Sequence, residues 1–446
     1  MLLDVALALC LFIAACVSYF SEIDESQFHP DESRWLNRAH YIADVLDPFG
    51  PTWNDQYLTR GQPPIGSYVM GLGLLAQGRD LDTNRAFDFR RSFEFNRANG
   101  MLPERADLEA GRRTNAFLGA LTVLVVYVVG RRLTNPVGGI AGAVLLIAHP
   151  LVIWHNSLAL ADTTLLLTLA LLLYAACRLA DRPSWGWAVT LGVLVGIGGA
   201  NKLTPLALLA PLILIGIILL GRDWFARLGV RRATGSEVGR LPSPGHPGWM
   251  LLATPIIAGI TFVAVYPYLW QQPIWRTLRL IEFRRQENDG QAVLFPRFQV
   301  DGPLDAMDRT WIKLGSQWSS TEQLLLWAKL DPIAGPLSTL DLWLALLGLV
   351  ALVAFAIRTG IQSRATLVLA LTVTQTATIL LSMRADFERY YLPIVLGSTI
   401  YAGFIVGFGA SRVAGLVGRL RRVRARSSSA LAGSPGSPAS PSAQPR

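Results

Sequence analysis

Apolar residues in this chain come in long blocks rather than in alternation. Phe117–Val129, Ile140–Ile153, Leu165–Ala176 and Leu206–Leu220 carry no formal charge. A block of about 20 such residues spans a bilayer as a helix, because only a helix satisfies its own backbone in hydrocarbon. The pattern predicts an all-α polytopic membrane protein with about ten transmembrane helices. They fall roughly at 3–20, 112–133, 137–154, 158–177, 185–200, 203–220, 249–269, 339–357, 364–383 and 390–411. Two long stretches separate them, a first external loop at 21–111 and a second at 271–338. Within the first, Pro63–Gln77 is apolar but short and glycine-broken, and the two prolines suit a helix start, so it reads as a helix lying along the membrane surface.

Composition changes this picture little. The chain is 52% hydrophobic and 16% charged, against about a quarter charged in soluble domains. One membrane domain over 1–426 is expected, followed by a Ser/Pro/Ala-rich cytoplasmic tail at 427–446 that cannot bury a core and is expected to be disordered. The cysteines (Cys10, Cys16, Cys177) lie in apolar segments and read as buried small hydrophobes, with no disulfide framework or zinc spacing. Ile13-Ala14-Ala15-Cys16 has the look of a lipoprotein cleavage box, but Met-Leu-Leu-Asp lacks a basic n-region, so residues 3–20 read as a retained first helix.

The net charge of +9 is almost all arginine, with lysine only at Lys202, Lys313 and Lys329. Its distribution argues against a nucleic-acid partner. With both termini cytoplasmic, the cytoplasmic loops hold Arg131 and Arg132, Arg178 and Arg182, Arg222 through Arg240, and Arg358 and Arg364. That is the positive-inside pattern, and it would invert if Pro63–Gln77 spanned. Arginine over lysine, with abundant Ala, Gly and Leu, points to a GC-rich bacterial genome and hence to the plasma membrane.

The polar residues that a bilayer tolerates poorly then gather on the external side. They are His29-Pro30-Asp31-Glu32 after the first helix; His155, Asn156 and Asp162; Asn201-Lys202; and Arg384 through Tyr391. Ionisable groups near membrane depth usually mark a site or a path. Asp31 reads either as a general base for an acceptor hydroxyl or as a solvated loop acid. Lys202 reads as a fixed cation for a lipid phosphate or as a snorkelling helix-end lysine. Asp162 either pairs with Lys202 or an arginine, or is a first-turn acid favoured by the helix dipole. Arg384, Arg389 and Tyr390 would either meet phosphate or anchor the interface. The histidines have no metal-ligand spacing, and there is no P-loop or dinucleotide fingerprint.

An Asp-Glu pair after helix one, a Pro-Pro-aliphatic-Gly run, a membrane-embedded Ala161-Asp162-Thr163 and a lone lysine beside Gly198-Gly199 occur in that order. In this series the chain resembles the GT-C superfamily, and within it the dolichyl-phosphate-mannose–protein mannosyltransferases and the bacterial lipid A aminoarabinose transferases. The resemblance runs from His29 to the Arg389-Tyr390-Tyr391-Leu392-Pro393 run. It implies that Asp31 matches the catalytic acid of the first external loop, with Glu32 as a second catalytic residue beside it in the same motif. It also implies that Lys202 binds the carrier's phosphate and that Arg389 and Tyr390 lie near the donor. Asp162, Arg384 and Asn156 would support the site.

The implied activity is transfer of a sugar from a polyprenyl-phosphate (dolichyl- or undecaprenyl-phosphate) donor to a hydroxyl of a lipid, glycan or protein acceptor. It would occur at the external face, by an inverting displacement, with a divalent cation as an open option beside Asp31 or Asp162. The chain departs from the family in two places. Arg60-Gly61-Gln62 precedes the two prolines where many relatives have histidine, and 271–338 is too short for an inserted β-trefoil. A transporter or flippase of lipid-linked sugars would instead place charges near the midplane, often with inverted repeats. A non-catalytic scaffold would not need acids and a lysine converging on one face.

Overall fold

The computed structural model describes residues 2–234 and 243–432. Among these the regular structure is helical. It begins with α1 (Leu2–Ser21), α2 (Pro30–Asn37), α3 (Ile65–Ala76) and α4 (Arg105–Leu133). It continues with α5 (Pro136–Ala148), α6 (Pro150–Asn156), α7 (Ala161–Asp181), α8 (Trp185–Gly199), α9 (Leu209–Thr234) and α10 (Pro247–Ala264). It ends with α11 (Pro273–Leu294), α12 (Leu340–Thr359), α13 (Arg364–Ser382) and α14 (Leu392–Ala432).

Among the described residues eight helices are long and apolar enough to cross a membrane, or up to nine if α5 and α6 form one span bent by 66°. The expected number of ten is not reached on this measure. The shortfall lies at α8, whose 15 residues rise only about 22 Å against a hydrocarbon core of about 30 Å. The bend before α6 follows from Pro150, which disfavours helical backbone at His149. Asn135, Ser184 and Ser363 cap α5, α8 and α13 by accepting backbone N–H bonds.

The exterior of these helices is apolar. On α1 only Leu11, Ala15 and Tyr19 are buried, an i, i+4, i+8 stripe laid against α4, while Leu3, Leu9, Ile13 and Val17 face outward. Of the cysteines, only Cys177 is buried and Cys10 lies on the outward face of α1, so the reading of all three as buried hydrophobes holds for Cys177 alone. The most buried spans are α7 and α14. The latter packs on α5 through facing small residues, Gly138 and Gly142 against Gly403 and Gly407. A Cβ on Gly403 would fall 2.5 Å from the Gly138 carbonyl oxygen, so only glycine permits this approach.

The two expected loops are themselves largely helical. In the first, α3 has 12 residues and buries Met70, Gly71, Gly73 and Leu74 against the 38–44 turn and α4, while Leu72 and Leu75 stay exposed. It is the short apolar helix expected at 63–77. In the second, α11 leads through shorter helices to α12, and one antiparallel bridge, Gln299 to Ala385, ties it to the segment before α14. The last helix runs past Ser427 to Ala432, and the rest of the Ser/Pro/Ala tail lies outside the described residues.

Candidate functional site

The site is built where α2 starts. His29 is the N-cap and Pro30 the first helical residue; the His29 ring accepts the Asp31 amide, and the Glu32 carboxylate accepts the His29 amide at 2.9 Å. This reciprocal box ends the loop sharply and fixes where both acids point.

Glu32 is fully buried and points inward. One oxygen accepts Arg112 Nε at 2.8 Å and the Ala159 amide at 2.8 Å. The other accepts Arg112 Nη2 at 2.9 Å and the His29 amide. Arg112 spends its remaining donors on the carbonyls of Ile23, Ser26 and Gln27. Buried charges persist only when paired and fully hydrogen-bonded, and here they are. Glu32 therefore clamps the loop after α1 to α4 and to the break before α7. Its partner Arg112 appeared in the sequence only as a charge at the start of an apolar block.

The break itself, 157–160, is stitched from both sides. Asn115 Nδ2 donates to the carbonyls of Leu158 and Leu160, and Asn201 Nδ2 donates to that of Ala161 at 3.0 Å. Asn156 accepts from Thr163 Oγ1 at 2.9 Å, which holds the corner between α6 and α7.

Asp31 faces differently. It forms an ion pair with Arg389, and its carboxylate lies 3.9 Å from His29 Nδ1. Burial alone would raise its pKa, but Arg389, His29 and Arg34 outweigh burial and hold the carboxyl below its ordinary value. Arg389 answers in kind: burial opposes its charge, while Asp31, Tyr390 and Asp162 raise its pKa above the ordinary one. Asp162, in the first turn of α7, pairs with Lys202 Nζ. Lys202 sits in the turn after α8, its amide bonded to the Gly198 carbonyl at 2.9 Å. Gly199 lets Leu206 pack closely on the end of α8, a Cβ there falling 2.5 Å from a Leu206 methyl.

Two acid–base pairs, Asp31–Arg389 and Asp162–Lys202, thus come together from α2, α7, the turn after α8 and the segment before α14. Tyr390 adjoins them and donates to Gln291 Oε1 of α11 at 3.1 Å. Arg384 is not drawn in; its ion pair, at 3.5 Å, is with the exposed Asp289.

The sequence reading missed Arg38. It is fully buried, stacks on Trp35 with its guanidinium carbon 4.3 Å from the ring centre, and donates Nε to the Arg34 carbonyl. Its two terminal nitrogens have no hydrogen-bond partner. Burial pulls its pKa down to about 10 although Tyr41, Tyr266 and Asp31 favour the charge. The only signal in the sequence was its place one helical turn past Arg34.

Asp31 and Asp162 each have a cation as partner, and among the described residues no group of three or more His, Cys, Asp or Glu gathers to hold a metal ion.

Residues 106–231 match the family model described as dolichyl-phosphate-mannose-protein mannosyltransferase. The matched part carries Arg112, Asn156, Asp162 and Lys202, and leaves Asp31 and Arg389 outside. Among curated proteins no match is found. Of solved structures, ArnT from Cupriavidus metallidurans bound to undecaprenyl phosphate is similar over 89% of this chain and 59% of that one, at 17% identity and a TM-score of 0.47. The Saccharomyces cerevisiae protein O-mannosyltransferase Pmt1-Pmt2 complex bound to the sugar donor is similar over 61% of this chain and 34% of that one (16% identity, TM-score 0.41). An Archaeoglobus fulgidus oligosaccharyltransferase is similar over 89% and 48% (10% identity, TM-score 0.46). This chain spans less than two thirds of the length of each.

Proposed function

We propose that this chain is a GT-C-type membrane glycosyltransferase that moves a sugar from a polyprenyl-phosphate donor to an acceptor hydroxyl, with Asp31 as general base. The observation that carries the reading is the pairing of Asp31 with Arg389 beside the second pair, Asp162–Lys202. Cations and carboxylates converge there at the ends of apolar helices, where a lipid carrier would present its phosphate. The match of 106–231 to a polyprenyl-phosphate-dependent family supports the same reading.

The acceptor oxygen attacks the anomeric carbon while the bond from that carbon to the phosphate oxygen breaks. The phosphate leaves with the electron pair, and the acceptor proton passes to Asp31. One displacement inverts the configuration. Lys202 and Arg389 neutralise the departing phosphate, Tyr390 hydrogen-bonds it, and Arg38 offers two unused donors nearby; such preorganised groups supply much of the catalysis. Asp162 holds Lys202, and Glu32 holds the start of α2, which carries Asp31.

The pairing also sets an order of events. While Arg389 neutralises Asp31, the carboxylate is a poor base. A donor phosphate competes for Arg389, and Asp31 becomes more basic as the salt bridge loosens. The base is thus activated by the donor it serves. In this reading the site faces the external side of a bacterial plasma membrane and both termini are cytoplasmic. The acceptor is a lipid, glycan or protein.

The test is consumption of radiolabelled polyprenyl-phosphate hexoses by membranes containing wild-type or Asp31→Asn protein. Asp31-dependent loss of donor supports both donor class and base. Equal consumption by the two proteins removes Asp31 from the mechanism. No consumption of any donor, with folded protein and acceptor-rich membranes, turns the assignment toward a carrier of lipid-linked sugars.

A further inference from the structure

Helix α7 carries the Asp31 site at its first turn and a second polar constellation at its last. Asp162 and Asp181 lie about 30 Å apart along its axis, close to the thickness of a bilayer's hydrocarbon core. At the Asp181 end a cleft of about 370 Å³ is lined by Arg132 of α4, Arg178, Asp181 and Arg182 of α7 and its C-cap, and Arg364 of α13. That volume is within the range of about 300–1,000 Å³ typical of small-ligand sites.

Positive-inside topology accounts for arginines in these loops but not for their convergence. Four arginines surround one carboxylate. Asp181 takes Arg132 Nη1 at 2.9 Å and also pairs with Arg364. Arg178 and Arg182 have no acidic partner among the described residues. The Nε atoms of Arg132 and Arg178 are buried without a hydrogen-bond acceptor.

The side chains are held rather than waving in water. Arg132 packs over Tyr174 at 5.4 Å, Arg178 lies over Trp187 at 4.7 Å, and Arg364 donates to the Arg132 carbonyl. Ordered guanidinium forks with unused donors suit a tetrahedral oxyanion that takes paired hydrogen bonds. Beside the cleft Trp185 and Val189 are exposed one turn apart on α8, an apolar edge against which acyl chains can lie.

We propose that this cleft binds a phosphate group, carried by an anionic membrane lipid of the leaflet opposite the Asp31 site. It is a second anion site, independent of the sugar-transfer reading. The lipid would join the ends of α4, α7 and α13, which otherwise repel one another through their excess of positive charge.

The full chain, purified in neutral detergent, is titrated with phosphatidic acid, phosphatidylcholine or inorganic phosphate while its melting temperature is followed. Phosphatidic acid should raise the melting temperature saturably and phosphatidylcholine should not. Arg178→Gln and Arg182→Gln should each weaken half-saturation about fivefold, the equivalent of about 1 kcal/mol per arginine near an anionic surface. Arg182 is exposed, so its variant keeps the test open if Arg178→Gln melts early. Arg222→Gln, a charge-matched change at an exposed position of α9, should leave the titration unchanged. Saturation by inorganic phosphate alone, with the same dependence on Arg178 and Arg182, would keep the anion site and withdraw the lipid. Equal titrations for wild type and both cleft variants, or an equal loss in Arg222→Gln, would overturn the proposal.

Discussion

Asp31 and Glu32 are neighbours in sequence, yet the regions around them work in opposite ways. Around Glu32 every acceptor position is taken by the protein, and the carboxylate is fully buried with Arg112 as a two-pronged partner. Around Asp31 the ion-pair partner is Arg389, with His29 and Arg34 adding charge nearby, and a guanidinium has the chemistry to be shared with a phosphate. A closed network of this kind serves the fold, and an open pair can exchange partners. Adjacent acids therefore divide into one locked into the frame and one whose partner a ligand can take, which is the acid proposed as the base.

The contrast can be broken most sharply by Asp31→Asn. It should lower kcat by about 10²–10⁴, the range for a lost general base, while the melting temperature stays close to wild type. A melting temperature that falls as far as activity would place Asp31 in the frame with Glu32.

Glu32→Gln should do the reverse. It leaves Arg112 as a buried charge without its counter-ion, which costs about 3–5 kcal/mol of stability. Thermal melting should show a large drop, and any protein recovered folded should retain much of its turnover.

Arg389→Gln sharpens the comparison through pH. The folded pKa of Asp31 is depressed, so the stabilisation from its pair is present above the ordinary carboxylate pKa of about 3.9 and is lost as pH falls through the lower folded value. Without Arg389 the largest opposing charge to burial is gone and that pKa rises. The acid limb of kcat/KM, which reports free enzyme, should move to higher pH in the variant, and KM for the donor should increase about tenfold or more. An unmoved acid limb would separate Arg389 from the base.

The smallest effect belongs to Arg384→Gln. Its partner Asp289 is exposed and 3.5 Å away, and surface pairs of this kind contribute about 0–1 kcal/mol. Donor consumption near wild type would confirm that the cluster stops at Arg389.

What the sequence determined by itself is the chain's class and most of its elements. Uninterrupted apolar blocks such as Phe117–Val129 cannot satisfy a backbone in lipid except as helices, and nearly every expected span has a helix at its place. The His29-Pro30-Asp31-Glu32 start was legible because capping is local chemistry. The tertiary structure decided the rest. It alone paired Asp31 with Arg389, chose Lys202 among the partners open to Asp162, gave Glu32 to Arg112, left Arg384 at the surface, and drew the scattered loop arginines 132, 178, 182 and 364 into one cleft. The reason is that composition and periodicity constrain only what a residue does with its near neighbours along the chain. The partner of a charge more than 300 positions away is set by how helices pack, and a sequence pattern carries no record of that distance.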